Sequence, residues 1–321
     1  MTGPAVKRAG PDWSGYGQTS PSSRDTMVPG HALRRLNQED LNVPAKVSHD
    51  QKEQARVFRD LHAHPPLVLP NAWDPGSAVA IEAAGAPAIA TTSAGVSWAA
   101  GVADAGGLGR DAALAALARI TAVVSVPVTA DIESGYGATP RDVAVTVAGV
   151  LATGAVGINI EDAPGAGGAA LREPGLQAER IAAAREAAQA AGVDLFINAR
   201  TDTFLAGDGR PAAERLRDTM ARAEVYAAAG ADVLFVPGVT DAETIRVLVG
   251  GPLPVNVMVY PGAPAVAELA GLGVVRISVG SAVAQAAYGL AAAAARELLG
   301  AGTYGSLGEA MDYGELNRLL S

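Results

Sequence analysis

Two acidic residues, Asp131 and Glu133, close a short apolar run that starts at Val126 and leads into the turn Gly135-Tyr136-Gly137. Because side chains alternate between the two faces of a strand, Thr129, Asp131 and Glu133 are predicted to share one face. Carboxylates on a buried face are costly to desolvate without a positive partner. The pattern therefore predicts a metal ion or an arginine opposite them, and an acidic loop end exposed to water is the alternative.

Polar residues also end most of the other apolar runs. By the same alternation, Asn159 and Glu161 share a face, and Arg200 shares one with Asp202. Three consecutive runs are thus predicted to bring an acid, an acid and an arginine together, which favours a functional site over an isolated structural ion pair. The polar residues at the run ends are Asn71, Trp73, Asp74, Thr91, Thr92, Ser93, Asp131, Glu133, Asn159, Glu161, Asp162, Asn198, Arg200, Asp202, Asn256 and Ser278.

The positions of lysine and histidine exclude several mechanisms. Neither residue type occurs after His64, and the chain has no cysteine. A Schiff-base lysine, a Ser-His-Asp triad, a phosphate-loop lysine, a thiolate nucleophile and a histidine or cysteine zinc site are therefore excluded from the main body. Carboxylates, arginines, hydroxyls, backbone amides and a hard cation with oxygen ligands remain.

The remaining groups predict a site for Mg²⁺, with Mn²⁺ as a substitute, held directly or through waters by Asp131, Glu133 and Glu161. Such a cation favours chelation of a small 2-oxo acid and stabilises the enolate that forms when the neighbouring bond breaks. Arg200 is predicted to hold the substrate carboxylate or phosphonate through paired hydrogen bonds. Ser93 and the amides of Ala94-Gly95 are predicted to add neutral donors.

Apolar runs alternate with alanine-rich helical segments, which predicts a (β/α)8 barrel of parallel strands. A doubly wound sheet is disfavoured because no glycine-rich phosphate loop follows the first run. Strands are predicted at 67–74, 88–95, 126–133, 157–162, 194–202, 231–239, 253–259 and 274–280. Helices are predicted at 78–84, 110–124, 140–153, 178–191, 211–229, 242–249 and 264–272, with further C-terminal helices after 281.

The N-terminal 45 residues are rich in Pro, Gly, Ser and Asn and lack a periodic apolar pattern, which predicts a mostly disordered extension. Residues 46–321 are predicted to form a single barrel domain with C-terminal helices. A helix is expected at 48–61, capped by Ser48 or Asp50, with Ala55, Phe58 and Leu61 on its buried face.

Composition favours an ordinary cytoplasmic enzyme. The net charge of −9 argues against a nucleic-acid or anionic-membrane partner. The least charged stretch, 83–103, is rich in Ala, Gly, Ser and Thr and is interrupted by Pro87, so no membrane span is predicted. The start of the chain lacks the apolar segment of a signal peptide.

Five segments together resemble the isocitrate lyase/phosphoenolpyruvate mutase family, over a stretch from about Phe58 to Ser281. The resemblance implies a modified (β/α)8 barrel, homodimers or homotetramers with the last helix often exchanged between subunits, Mg²⁺, and small 2-oxo acids or their enol phosphates as substrates. The segments are Leu69-Pro-Asn-Ala-Trp-Asp74, Thr91-Thr-Ser-Ala-Gly95, Asp131-Ile-Glu-Ser-Gly-Tyr-Gly137, Gly157-Ile-Asn-Ile-Glu-Asp162 and Asn198-Ala-Arg-Thr-Asp202.

The same resemblance implies roles for individual residues. Asp131 is then the main metal ligand, with Glu133 and Glu161 acting mainly through waters. The substrate-binding residues implied by position are Ser93, Ala94, Gly95, Arg200 and Asn256. Asp104 is similar to the family's aspartate near the metal and substrate, which places Asp104 with Arg200 and Glu161 among the catalytic candidates.

One segment departs from the family. Lyases of the family have a cysteine-containing lid after the fourth strand, and the mutases have an asparagine-containing lid. Here residues 163–175 contain no Cys, Lys, His, Asn or Ser. Tyr136, Ser134 or a metal-bound water are therefore the remaining proton sources, and Tyr136 is included among the catalytic candidates.

We therefore expect a Mg²⁺-dependent lyase or mutase that acts on a small 2-oxo acid or its precursor through a metal-stabilised enolate. Cleavage of a carbon–carbon bond is slightly favoured. The alternatives are carbon–phosphorus chemistry on phosphonopyruvate or phosphoenolpyruvate, and a non-catalytic descendant that binds an oxo acid. A purely structural oligomeric role has no specific feature in its favour.

Overall fold

Parallel strands form the centre of the molecule in the computed structural model, which describes residues 49–165 and 170–321. Each strand is paired in parallel with the next along the chain from β2 to β9, and β1 pairs with β9. Within these residues the strands are β1 Leu67–Leu69, β2 Asn71–Ala72, β3 Ile89–Thr91, β4 Val128–Asp131, β5 Gly157–Glu161, β6 Phe196–Arg200, β7 Val233–Phe235, β8 Val255–Met258 and β9 Arg276–Ser278.

A single interrupted strand closes the ring. The first predicted run divides at Pro70, whose missing N–H cannot join a ladder, into β1 and β2. β1 pairs with β9 on one side, and β2 pairs with β3 on the other. The predicted (β/α)8 barrel is thus confirmed, with its eight runs present as nine strand segments.

Helices surround the barrel, and their ends follow the capping residues of the sequence. Asp74 and Thr139 cap α2 and α5 ahead of a proline, and Gly192 ends α6 in the left-handed conformation. The described helices are α1 His49–His62, α2 Pro75–Ala83, α3 Ser93–Ala99, α4 Arg110–Thr121, α5 Pro140–Ala152, α6 Pro174–Ala191, α7 Ala212–Ala228, α8 Ala242–Val249, α9 Val266–Gly271, α10 Ala282–Gly300 and α11 Tyr313–Leu319, with a 3₁₀ turn at Gly305–Leu307.

The prediction for residues 88–95 is wrong in its second half. β3 ends at Thr91, and α3 begins at Ser93, so Ser93, Ala94 and Gly95 form the first helical turn instead of a strand end. The alanine- and glycine-containing sequence gave no helical period long enough to recognise in seven residues. The change matters because the first turn of a helix presents backbone N–H groups that have no partner within the helix.

The N-terminal end of the barrel is closed by α1. Phe58 is completely buried and makes an edge contact with Phe196, their ring centroids lying 5.4 Å apart. His62 stacks on the other side of this cluster, 3.8 Å from the Phe196 ring. A side chain at Gly157 would meet Phe58 at 3.0 Å, which leaves no room for one. The predicted burial of Ala55 and Phe58 is confirmed, and we refer to Phe58, His62 and Phe196 as the floor.

The proposed N-terminal extension and Ser48 lie outside the described residues, which all belong to the unit Pro44–Ser321. The boundary at residue 45 therefore stays a prediction. Within the described part of the chain, none of the helices combines the length and the apolar character that crossing a bilayer requires.

The floor predicts a large loss of stability in Phe58→Ala. Removing a fully buried phenylalanine ring should lower the free energy of unfolding by about 3–5 kcal/mol, whereas Phe58→Leu should cost less. Urea unfolding followed by circular dichroism measures both. The exposed Lys52→Ala on the same helix is the control and should stay within about 0.5 kcal/mol of the wild type. A loss near that of the control in Phe58→Ala would show that α1 does not close the barrel.

Candidate active site

Two adjoining cavities open at the C-terminal ends of the strands. The inner cavity, of about 190 Å³, extends into the barrel and is lined by Asp131, Asn256 and Arg276 among others. The outer cavity, of about 250 Å³, is lined by Glu133 and Glu161 among others. The two share Ser93, Asp104 and Arg200 in their linings. Most of the predicted site residues are therefore brought together, as expected for the C-terminal face of a parallel barrel.

Asp131 ends β4 and is held in a fixed orientation. Its Oδ1 accepts a hydrogen bond from Asn159 Nδ2 at 2.9 Å, and its Oδ2 accepts one from the backbone N–H of Ser93 at 3.0 Å. Its own backbone N–H donates to Thr91 Oγ1 at 2.8 Å. Carboxylate oxygens can accept further contacts, so this arrangement orients Asp131 without excluding a cation.

Glu133 reaches the site by a different route from the predicted one. β4 ends at Asp131, and Glu133 has a left-handed backbone with φ of 49°, so the strand parity that placed it beside Asp131 does not apply. Its side chain is nevertheless buried and faces the outer cavity. Its Oε1 has no hydrogen-bond partner within the described residues. Non-glycine residues with positive φ cost free energy and are common at functional sites.

Arg200 is surrounded by acids. Its Nη1 lies 2.9 Å from Glu161 Oε2, while Nε and Nη2 donate to Asp202 at 2.6 and 2.9 Å. Glu161 and Arg200 are register partners on β5 and β6, which confirms that neighbouring strands bring acid and arginine together. A guanidinium has five N–H donors, so two remain for a ligand.

The pKa values reflect an excess of negative charge. Burial raises the pKa of Glu161 to about 8; Arg200 opposes this shift, and Asp131, Asp202 and Glu133 add to it. Burial also raises the pKa of Glu133, and the charges of Asp131 and Asp104 act in the same direction. Burial alone would lower the pKa of Arg200, but Glu161 and Asp202 raise it.

The donor types fit a hard divalent cation. Asp131, Glu133 and Glu161 supply oxygen ligands, and the unpartnered Glu133 Oε1 is a buried acceptor that a cation or its water would satisfy. Across residues 49–165 and 170–321, however, no three acidic or imidazole groups are close enough to form a complete metal cluster.

Other predicted residues lie at varying distances from the cavities. Asp104 and Ala94 line the inner cavity, and Asn256 lies deeper, beside β9. Tyr136 lines neither cavity; its hydroxyl is within hydrogen-bonding reach of Glu133. Gly95 does not line them either, and a Cβ there would lie 2.6 Å from the Trp73 side chain, so close packing explains this glycine.

A chain of side-chain hydrogen bonds inside the barrel was not predicted. Asn198 Nδ2 donates to Asn159 Oδ1 at 2.9 Å, and Asn159 in turn donates to Asp131. Asn256 Nδ2 approaches Asn198 Oδ1 at 3.4 Å, and Ser278 Oγ approaches Asn256 Oδ1 at 3.4 Å. The amide orientations therefore all derive from the Asp131 carboxylate. The sequence did contain a signal for this chain, because several apolar runs each have one polar residue at an inward position.

Asp162 has a structural role that strand order alone did not reveal. It is fully buried on the outward face and accepts hydrogen bonds from Arg222 Nη1 at 3.0 Å and Tyr226 Oη at 2.9 Å. Its backbone carbonyl accepts from the N–H of Arg172, whose Nη1 donates to the carbonyl of Ala163. The two ends of the predicted lid are thereby fixed to each other; residues 166–169 lie outside the described part.

Buried Arg180 supports the turn that carries Glu133 and Tyr136. It lies on α6, and its Nη2 donates to the backbone carbonyls of Ser134 and Gly137, the latter at 2.9 Å. The left-handed residues of this turn are therefore held by a side chain from the next helix along the chain.

Comparison with known proteins gives consistent results. The sequence model of the phosphoenolpyruvate phosphomutase family matches residues 58–299. An uncharacterised protein of Mycobacterium tuberculosis is 41% identical over 241 residues, which cover 74% of this chain and 87% of that protein. The 2-methylisocitrate lyase of Escherichia coli K12 is 32% identical over 188 residues, 56% of this chain and 60% of the lyase.

A solved structure agrees with the barrel. A protein of Burkholderia cenocepacia J2315, provisionally named a lyase/mutase, is 40% identical and superposes with a TM-score of 0.78. The match covers 84% of this chain and 96% of that one.

The raised pKa of Glu161 predicts that the metal-free protein becomes less stable as pH rises. Relative to the pKa of 4.5 for an exposed glutamate, a folded-state pKa of about 8 favours the protonated folded form. The stability that this group contributes is present below pH 4.5 and is lost as pH rises through about 8. Melting temperatures of the metal-free protein should therefore decline over this window, and Glu161→Gln should flatten the decline.

Added Mg²⁺ should raise the melting temperature more at pH 8 than at pH 5.5, because metal binding has to displace protons from the carboxylates. Differential scanning calorimetry with and without Mg²⁺ measures both effects. Glu179→Gln, an exposed change on α6, is the matched control and should behave as the wild type. Equal Mg²⁺ effects at the two pH values would contradict a site built on Glu161.

Proposed function

We propose a reaction for this chain from one premise: it belongs to the phosphoenolpyruvate phosphomutase family, whose model matches residues 58–299. Proteins of this superfamily are lyases and mutases that act on oxo acids and related compounds. We infer that this chain is a Mg²⁺-dependent enzyme that breaks a bond next to the carbonyl of a small 2-oxo acid or its precursor, with carbon–carbon cleavage favoured.

One observation carries this proposal. Asp131, Glu133 and Glu161 come from β4, the turn after it and β5, and they converge with Arg200 of β6 around two connected cavities. Acids in such excess over arginine are unfavourable unless a cation joins them. The similarity to 2-methylisocitrate lyase supports carbon–carbon cleavage over carbon–phosphorus chemistry.

In the proposed site, Asp131 is the direct metal ligand, and Glu133 and Glu161 act through waters. A bound Mg²⁺ would polarise the 2-oxo group and stabilise the negative charge that develops there. Asp131 is oriented for this role by Asn159 and by the Ser93 amide. Arg200 uses its two remaining N–H donors to bind the substrate carboxylate, and Ser93 and Ala94 add donors from the first turn of α3.

Glu133 is proposed to exchange the proton with the ligand, and Tyr136 to act as its hydrogen-bond donor. The Tyr136 hydroxyl lies within hydrogen-bonding reach of Glu133, and burial raises the pKa of Tyr136, so the tyrosine stays protonated at neutral pH. Tyr136 is then a donor that controls the protonation of Glu133, and Glu133 faces the outer cavity.

A second candidate function is binding of an oxo acid without catalysis. It is favoured by the sequence of residues 163–175, which lacks the cysteine or asparagine of the family's lids. The two candidates share the cavity, Asp131 and Arg200, and they differ in whether bound acid is consumed.

Turnover separates the two candidates. The protein is incubated with Mg²⁺ and oxaloacetate, 2-methylisocitrate, dimethylmalate or phosphonopyruvate, and pyruvate is monitored. An enzyme should lose at least about 100-fold in kcat/KM in Asp131→Asn, because removing even an indirect metal partner costs about 10- to 100-fold. Arg200→Lys should mainly raise KM. The control is Asp111→Asn, an exposed change on α4.

Tight binding of an acid without pyruvate release would support the non-catalytic candidate. Normal turnover in Asp131→Asn would overturn the metal-site assignment.

The C-terminal helices support a homo-oligomer, a homodimer or homotetramer. Within α10, only Ala284 is buried, whereas Leu290 is 49% and Leu299 86% exposed. Apolar side chains of this kind continue beyond α10 and are more numerous than monomers usually expose in one segment. The exposed apolar residues from α10 onward are Val283, Tyr288, Leu290, Leu298, Leu299, Tyr304, Leu307, Met311, Tyr313, Leu316 and Leu320. A second copy of the chain is proposed to cover them.

Light scattering after size exclusion tests this proposal. The wild type should have at least twice the mass of one chain, and the double change Leu290→Glu/Leu299→Glu should yield monomers because it places two charges in the interface. Gln285→Glu, at an exposed polar position of α10, should leave the mass unchanged. A monomeric wild type would overturn the proposal.

A further inference from the structure

Arg276 is a buried cation to which the proposed reaction gives no role. It begins β9, is only 2% exposed, and lines the inner cavity. Arg200 and Arg222 form close ion pairs with carboxylates. Arg276 has no such ion pair within the described residues, and its Nε and Nη1 atoms have no acceptor there.

An unpaired buried guanidinium is unfavourable, and the lowered pKa of Arg276 reflects the free energy of removing its charge from water. Burial lowers the pKa of Arg276 to about 9, and Asp131 is the acid whose charge partly offsets the effect. The floor offers no negative charge from below, since Phe58 and Phe196 are uncharged and His62 is an imidazole. Burial lowers the pKa of His62 to about 4, so this ring is neutral at neutral pH. A buried cation without a carboxylate partner in the protein indicates a ligand that supplies the negative charge.

Neutral donors surround the guanidinium. Asn256 is the register partner of Arg276, and Ser278 follows two residues later on the same inward face. The amide group of Asn256 donates one N–H toward Asn198 and retains a second. The Ser278 hydroxyl is directed at Asn256 Oδ1, so Ser278 orients the amide and Asn256 supplies the free neutral donor. A cationic fork beside this amide donor matches a carboxylate.

The charge balance limits the anion to a carboxylate. Arg276 is the guanidinium that lines the inner part of this cavity, so a phosphate dianion would be matched by a single positive group. A singly charged carboxylate is matched one to one. Arg200 already interacts with Glu161 and Asp202.

We propose that Arg276, together with Asn256 and Ser278, forms an anion subsite inside the barrel that binds the second carboxylate of a four- or five-carbon 2-oxo diacid. The inference rests on the proposed function, which places the 2-oxo end at Asp131. Arg276 is then the residue that makes the site prefer diacids to monoacids.

Matched pairs of ligands test the subsite. Oxaloacetate differs from pyruvate by one carboxylate, and 2-oxoglutarate differs from 2-oxobutyrate in the same way. Isothermal titration calorimetry in the presence of Mg²⁺ should give the wild type a preference of about 10- to 100-fold for a diacid over its partner, the range expected of a hydrogen bond to a charged group. Arg276→Met should reduce this preference to within about threefold while monoacid binding stays within about twofold. Arg276→Lys should retain part of the preference.

A stability measurement excludes a merely structural role. Methionine is long enough to fill much of the space and carries no charge, so Arg276→Met should leave the melting temperature of the ligand-free protein unchanged or raise it. A structural arginine would lower it on removal. Arg119→Met, an exposed change on α4 with the same loss of charge, is the control and should keep the wild-type preference for diacids.

The outcomes separate this inference from the proposed function. Diacid preference that depends on Arg276 without turnover of any acid would keep the subsite and reject the enzyme. Turnover in a wild type that does not distinguish diacids from monoacids would keep the enzyme and reject the subsite. Equal weakening of diacids and monoacids in Arg276→Met would also overturn the inference, because the arginine would then support the site as a whole.

Discussion

The constraint on which the site depends is an excess of carboxylates over arginines in a buried place. Asp131, Glu133, Glu161 and Asp202 line the two cavities or contact Arg200. Among the described residues, Arg200 forms ion pairs with Glu161 and Asp202. Burial raises the pKa of Glu161 and Glu133, and the charges of neighbouring acids add to the shift. A fold that holds these groups together has to form despite their repulsion. Rigid neighbouring strands make this arrangement possible, because β5 and β6 are fixed in register over five residue pairs.

A chain of side-chain hydrogen bonds inside the barrel links Asp131 to residues nearer the floor. Asp131 accepts from Asn159, and the amides of Asn198 and Asn256 follow with the same orientation as far as Ser278. A carboxylate at one end of a chain of amides sets the direction of every dipole in it. The inner cavity is therefore polar and ordered, in contrast to the apolar floor beneath it. Arg276 lies between the two. None of the hydrogen bonds in this chain reaches its guanidinium, so its positive charge has no close partner among the described residues.

The sequence was sufficient for the barrel and for the identity of most site residues, because parallel strands carry continuous apolar runs and end in polar residues. It was insufficient where the backbone leaves regular structure. Glu133 lies in a left-handed turn, so it reaches the cavity by a route that strand parity did not predict. Ser93–Gly95 begins a short helix that no periodicity could indicate. Arg276 lies two residues before Ser278 and so has the same inward parity, but its position inside an apolar run is that of a core residue.

Under the proposed function, a lid without the family's cysteine or asparagine moves proton transfer to the rigid part of the site. Arg172, at the end of the lid, is held by Ala163 and remains a poor acid. The Glu133–Tyr136 pair is independent of the lid, since Arg180 fixes its turn from α6. A lid fixed at both ends by Asp162 and Arg172 then has only to exclude water, and a chain built in this way can change its lid sequence without losing its proton path.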